Sequence, residues 1–137
     1  MSAKLVPYLN FNGNTKEVMD FYHGIFGGEL KLTTFGDMGP SMPAPEGYAD
    51  KIMHADLQAD AIQIMASEGR PESPTQFGDN ISMSLAGTEN DHLQDYFDKL
   101  ADGGEVVMPV AAQAWGDSFG MCKDKYGIQW MVNITKG

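Results

Sequence analysis

Apolar positions in this chain alternate, or recur at helical spacing, in an order that is run through twice. Leu5–Phe11 (LVPYLNF) is short, apolar and β-prone. In the NTKE that follows, Asn14 is expected to cap a helix, with Glu17 as its capping-box partner. Val18, Phe21, Tyr22, Ile25 and Phe26 then mark one helical face. Gly27-Gly28 should end that helix, because glycine accepts the left-handed exit conformation. Glu29–Phe35, Lys51–Ala59 and Ala61–Ser67 read as strands, the last two as a hairpin turning at Ala59-Asp60.

The second pass begins with a strand over Asn80–Ala86. Thr88 is expected to cap the next helix with Asp91 as partner, and Leu93, Tyr96, Phe97 and Leu100 give its stripe. Gly103-Gly104 closes it, and strands follow at Glu105–Ala111, Ser118–Lys123 and Ile128–Thr135. MDFYHGIFGGE aligns by eye with QDYFDKLADGGE. Asp20 and Asp95 lie 75 residues apart but Glu29 and Glu105 lie 76 apart, which reads as a second helix one residue longer. The pattern predicts an α+β fold of two tandem β-α-β-β-β modules, 1–68 and 80–137, joined by a linker at 69–79. Neither half can bury a sizeable core alone, so a single domain over 1–137 is expected. Its sheets would form a curved, mostly antiparallel eight-stranded surface with the helices outside. Residues 36–50, long for a loop and carrying Met38, Met42 and Tyr48, are a candidate lid or subunit contact.

Charge narrows the partners. Nineteen acidic against nine basic residues give a formal charge of −10. That balance disfavours nucleic acid and anionic membrane surfaces, and leaves a neutral or cationic small molecule. A lone Cys122 permits no intrachain disulfide. No apolar run approaches a membrane span, and MSAKLVPYLNF does not read as a signal peptide. A cytoplasmic location is the simplest expectation.

The paired modules resemble the vicinal oxygen chelate superfamily, which holds glyoxalase I, extradiol dioxygenases, and bleomycin and fosfomycin resistance proteins. Within it the chain is most similar to the PhnB-like branch. The residues that carry the likeness are Pro7–Tyr22, FGGEL (Phe26–Leu30), IMHADL (Ile52–Leu57), WGDSFG (Trp115–Gly120) and DKYGIQW (Asp124–Trp130). Some relatives bear a methyltransferase name tied to ubiquinone synthesis. This sequence has no glycine-rich turn of the kind a nucleotide-like cofactor needs.

In metal-binding members of the superfamily, the first and last strand of each module each supply one His, Gln or Glu ligand. The matching positions here are Pro7, Gln63 or Ile64, Asn80 (Ile81 after a one-residue slip) and Met131. Proline cannot ligate, a thioether is too soft for hard divalent ions, and asparagine is a weak donor. The resemblance therefore implies the fold without its divalent metal and without a cofactor. His23 and His92 read as solvated helix residues. Strand alternation puts Ile52, His54 and Asp56 on one face, so His54 is a candidate donor or base. If Met131 faces the pocket, Gln129 and Asn133 do too, and Asn80, Ser82 and Ser84 line the neighbouring strand. Trp115 belongs at the rim. The candidate ligand-binding set is His54, Gln63, Asn80, Ser82, Trp115, Gln129 and Met131. The first reading is a metal-independent small-molecule binder, homodimeric as such binders are. The alternatives are a divergent metal-dependent lyase or glyoxalase-type enzyme around His54, Gln63 and Glu68, and a non-enzymatic scaffold with a filled cup.

Overall fold

A computed structural model describes residues 3–69 and 71–136. Arg70 of the expected linker lies outside the described residues, as do Met1, Ser2 and Gly137. The chain divides into two compact units, Met1–Gln76 and Phe77–Gly137. Module one runs β1 (Tyr8–Phe11), α1 (Thr15–Phe26), β2 (Glu29–Thr34), β3 (Ile52–Gln58) and β4 (Gln63–Glu68). Module two runs β5 (Met83–Thr88), α2 (Leu93–Ala101), β6 (Glu105–Ala112), β7 (Ser118–Lys123) and β8 (Gln129–Thr135). The fold class is α+β. The eight strands form two four-stranded sheets, ordered β1-β4-β3-β2 and β5-β8-β7-β6. In each, the first strand runs parallel to the last and the other pairs are antiparallel.

Each helix covers one face of its own sheet. Val18, Met19, Tyr22 and Phe26 of α1 pack with Ala55, Leu57, Ile64 and Ala66 from the sheet, all buried. Leu93, Phe97 and Leu100 of α2 pack with Leu85, Cys122, Trp130 and Val132. Burying an aliphatic or Phe side chain of this kind contributes roughly 1.5–3 kcal/mol. The helices need that burial, because isolated helices of 12 and 9 residues are marginal in water.

Several local expectations change. The helix α2 is shorter than α1, and the additional residue of the second pass is Asp102, extended in the exit turn. Asn14 makes no side-chain cap. Glu68, 6% exposed at the end of β4, does that work instead. Its Oε1 accepts from Gly13 N at 2.9 Å, Thr15 N at 3.3 Å and Thr15 Oγ1 at 2.6 Å, and its Oε2 from Ile52 N at 3.3 Å. A carboxylate is favoured there by the free N–H groups and the positive end of the helix. Thr88 and Asp91 do bond each other, with Asp91 Oδ2 accepting from Thr88 N at 2.7 Å and from Thr88 Oγ1 at 3.1 Å. They form a turn ahead of α2 rather than its cap, and His92 enters the helix at φ 61°. Ile52 is buried and does not share the face of His54. A bulge pairs Thr33 with His54 and Thr34 with Ile52, which turns the strand over at Met53. The strand β5 begins at Met83 rather than at Asn80, and Ile81 ahead of it is 77% exposed.

The paired glycines serve two separate needs. Gly27 and Gly103 take positive φ at the helix exits. A Cβ on Gly28 would run into Gln58 O, and one on Gly104 into Lys123 O. The second glycine therefore lets the helix exit lie against the following β-hairpin turn.

Candidate functional site

On each sheet the face opposite the helix is left to carry chemistry. The hydrogen-bond register aligns the two modules residue by residue. Gln58 pairs with Gln63 as Lys123 pairs with Gln129, and Asp56 pairs with Met65 as Met121 pairs with Met131. The counterpart of Met131 is therefore Met65, not Gln63 or Ile64. Ile64 points to the helix side and is buried, as its counterpart Trp130 is.

In module one, the open face gathers Tyr8, Lys31, His54, Asp56, Gln63 and Met65. Tyr8 OH lies 3.4 Å from His54 Nδ1, with the rings tilted at 35°. Gln58 Nε2 and Gln63 Nε2 donate to the two oxygens of Asp56 at 3.0 and 3.1 Å. Partial burial works to raise the Asp56 carboxyl. The two amide hydrogen bonds, with the charges of His54 and Lys31, together outweigh it and hold the group below its ordinary value. Asp56 is thus ionised at neutral pH. The same bonding fixes the orientation of Gln63: its NH₂ must face the carboxylate, which leaves Oε1 buried with no partner among the described residues. His54 and Gln63 are brought to one face, Gln63 bonded to Asp56 and His54 within electrostatic reach of it. Glu68 is not. It sits on the helix side of β4 with Ile64 and Ala66, with both oxygens engaged.

In module two, Met131 is half-buried on the open face between Ser84 and Met121. Gln129 Nε2 donates to the carbonyls of Asp79 and Ile81, each at 3.0 Å. It thus holds the backbone around Asn80 rather than presenting a free amide. Asn80 is exposed, and Ser82 is half-buried one residue before β5; both precede the strand. Trp115 is 61% exposed on the turn between β6 and β7 and meets Phe119 edge-on at 6.2 Å. Asn133 Nδ2 donates to Asp117 Oδ2 at 2.8 Å. Cys122 lies on the helix side, 1% exposed. Burial, and then the charge of Asp124, push its thiol up to about 11, far from the thiolate a nucleophile needs. Asp124 is itself buried and accepts from Tyr126 N, Ile128 N and Trp130 Nε1 at 2.9, 3.1 and 2.9 Å. The DKYGIQW run is therefore a structural turn that anchors Trp130.

Sequence reasoning passed over Tyr8, Lys31, Met108 and Met121 as face residues. Alternation along β7 from Cys122 would have found Met121. Tyr8 and Lys31 needed the cross-strand register, which no local pattern supplies.

Two groups implied by relatives can be tested against these residues. A hard divalent metal does not fit. The last strands place Met65 and Met131 at the equivalent positions, opposite Tyr8 and Ser84 of the first strands. Each sheet taken by itself thus offers one thioether and one neutral hydroxyl there, poor donors for such an ion. Among the described residues, no group of three or more His, Cys, Asp or Glu converges. A nucleotide-like cofactor does not fit the one strand-turn-helix of module one, because the Glu68 carboxylate fills the start of α1 where a phosphate would sit.

Comparison with known proteins agrees with this architecture. Protein YjdN of Escherichia coli K12 is 29% identical over 141 residues, covering 96% of this chain and 95% of its own. The crystal structure of protein PA1353 from Pseudomonas aeruginosa superposes with a TM-score of 0.86 at 39% identity, over 99% of this chain and all of that one. A Bacillus cereus PhnB protein, described as a putative 3-demethylubiquinone-9 3-methyltransferase, gives a TM-score of 0.73 at 25% identity, over 97% of this chain and 100% of its own. No helix among the described residues is long and apolar enough to cross a membrane. The family described as 3-demethylubiquinone-9 3-methyltransferase matches residues 3–133, and the chain belongs to it: the PhnB-like branch of the vicinal oxygen chelate superfamily.

Proposed function

We propose that the chain is a small-molecule binding protein that works without the superfamily's divalent metal. The observation that carries this reading is the pair Met65 and Met131, thioethers at equivalent positions on the open faces. In module one, His54 and Asp56 would meet polar groups of the ligand, with Gln63 orienting Asp56. In module two, Met131, Ser82 and Trp115 would supply adaptable apolar and small polar contact, with Gln129 holding Asn80 in place. Methyl transfer is not part of the reading, since the turn before α1 is taken up by Glu68.

The test joins elemental analysis with a thermal-shift screen. Protein purified without a metal-affinity tag should carry no stoichiometric divalent metal. A metabolite and antibiotic library should yield compounds that raise Tm, since a ligand at 100 times its Kd adds about 2.7 kcal/mol. The screen should not respond to divalent ions, and His54→Ala should weaken the hits. One equivalent of divalent metal, lost on replacing His54, would overturn the proposal.

A second reading draws on the Tyr8–His54 contact. It is a lyase or glyoxalase-type enzyme using His54 as base, with Tyr8 and Asp56 beside it and Glu68 excluded. Turnover abolished by both Tyr8→Phe and His54→Ala would favour it. A scaffold role is the outcome if neither ligand nor turnover is found. We also infer a cytoplasmic homodimer. The edge strand β6 exposes Val106 and Val107 at 49% and 55%, an apolar edge suited to a second copy. Light scattering on the purified chain checks the stoichiometry.

A further inference from the structure

The open face of module two carries three methionines in one row. Met108 on β6 pairs with Met121 on β7, and Met121 pairs with Met131 on β8. Paired residues of neighbouring strands project to the same side, and their Cβ atoms lie about 5 Å apart. The helix side is identified by Cys122 and Trp130, which alternate with Met121 and Met131 and are buried. All three thioethers therefore stand away from α2, with Met121 central and the other two flanking it. Each methionine has three rotatable side-chain bonds, so the outer sulfurs can lean over Met121.

We infer that Met108, Met121 and Met131 form a binding site for a soft, thiophilic monovalent cation of the copper(I) or silver(I) type. Thioethers are neutral, polarisable donors that select such ions over magnesium, calcium or zinc. The chain's formal charge of −10 favours cation approach. Cys122 is on the opposite face with its thiol protonated, and Asp117 is held by Asn133. Module one supplies an internal control. The row equivalent to Met108–Met121–Met131 is Lys31–Asp56–Met65, with one thioether, a cation and a carboxylate. The inference goes beyond the organic-ligand reading above and stands whether or not that reading survives.

Silver(I), which needs no reducing conditions, is the probe. The full chain, labelled with ¹³C at the methionine methyls, would be titrated with silver nitrate in chloride-free buffer. Ten methyl signals are available. Those of Met108, Met121 and Met131 should shift together and saturate at one equivalent. Met121→Leu, which keeps the volume and is checked for folding by circular dichroism, should weaken binding at least tenfold. Cys122→Ser and Met65→Leu should bind as the parent does. Shifts spread across the methionines, loss of binding in Cys122→Ser or Met65→Leu, or unchanged affinity in Met121→Leu would each overturn the site.

Discussion

The two modules share a backbone plan and differ in what they hang on it. In module one the central row of the open face reads Lys31, Asp56, Met65, Tyr8; in module two the same row reads Met108, Met121, Met131, Ser84. One row is charged and hydrogen-bonded, the other apolar and polarisable. The helix entries differ as well. The start of α1 is held by Glu68 from the far end of its module, whereas the turn before α2 is held by Asp91, three residues from Thr88. The repeat thus fixes sheet order and register and leaves both the face and the cap free to diverge. Module one ties its helix to its last strand with a buried carboxylate. Module two packs its helix on Leu85, Cys122, Trp130 and Val132, with Trp130 anchored by Asp124.

The largest effect expected from this contrast is at Glu68. Replacing it with alanine strands Gly13 N, Thr15 N, Thr15 Oγ1 and Ile52 N in a buried place. We expect a loss of roughly 3–5 kcal/mol, since each orphaned donor costs its desolvation. Glu68→Gln should recover part of it. Asp91→Ala removes a surface turn contact and should cost far less. Urea unfolding of the three variants measures the gap, and equal losses at Glu68 and Asp91 would erase the distinction between the caps.

A smaller effect tests what the modules share. Gly28 and Gly104 occupy the same place, each against the backbone of its hairpin turn, but only Gly28 also has positive φ, at 83°. Gly104→Ala should cost roughly 1–3 kcal/mol through overpacking. Gly28→Ala should cost about 1–2 kcal/mol more, because it adds left-handed strain to the same clash. Thermal unfolding of the two variants gives the order directly. A tolerated Gly28→Ala would mean that the exit turn can move away from the hairpin, against the close approach described here.

These contrasts also mark where the sequence was readable. Periodicity carried the module order, both helices and the strand faces, because Val18, Tyr22, Leu93 and Phe97 repeat at helical spacing within a few residues of one another. The FGGE and DGGE signals marked the helix exits because glycine's conformational role is local. Glu68 was not legible as a cap, since its partners lie more than 50 residues away in Gly13 and Thr15. Asn14 offered a plausible local cap in its place. The face of Ile52 was lost to a bulge, which no alternation rule anticipates. For the candidate site, alternation marked the face of His54, whereas Met131 came from matching positions with the superfamily's metal-binding members. The Tyr8 contact, the Asp56–Gln63 bond and the methionine row depend on which strands neighbour which, and that is a property of the fold.

The subtlest expected difference concerns the buried faces. Register makes Cys122 the counterpart of Leu57, so the same helix-side position holds a thiol in module two and a hydrocarbon in module one. The folded thiol titrates at about 11 against an ordinary value of 9.0, because burial and then Asp124 disfavour the thiolate. A raised folded value means that the contribution is whole below pH 9, where the thiol is neutral in both states. It falls as pH climbs from 9 to 11, because the unfolded chain ionises first, and it is gone above that. Wild type is compared with Cys122→Ala, which shares every other ionisable group. The stability gap between the two should stay constant up to pH 9 and narrow beyond it, with native Cys122 resisting alkylation at pH 8. Parallel stability curves through pH 11, or rapid alkylation of the folded chain, would show that the thiol is not held neutral by its place under α2.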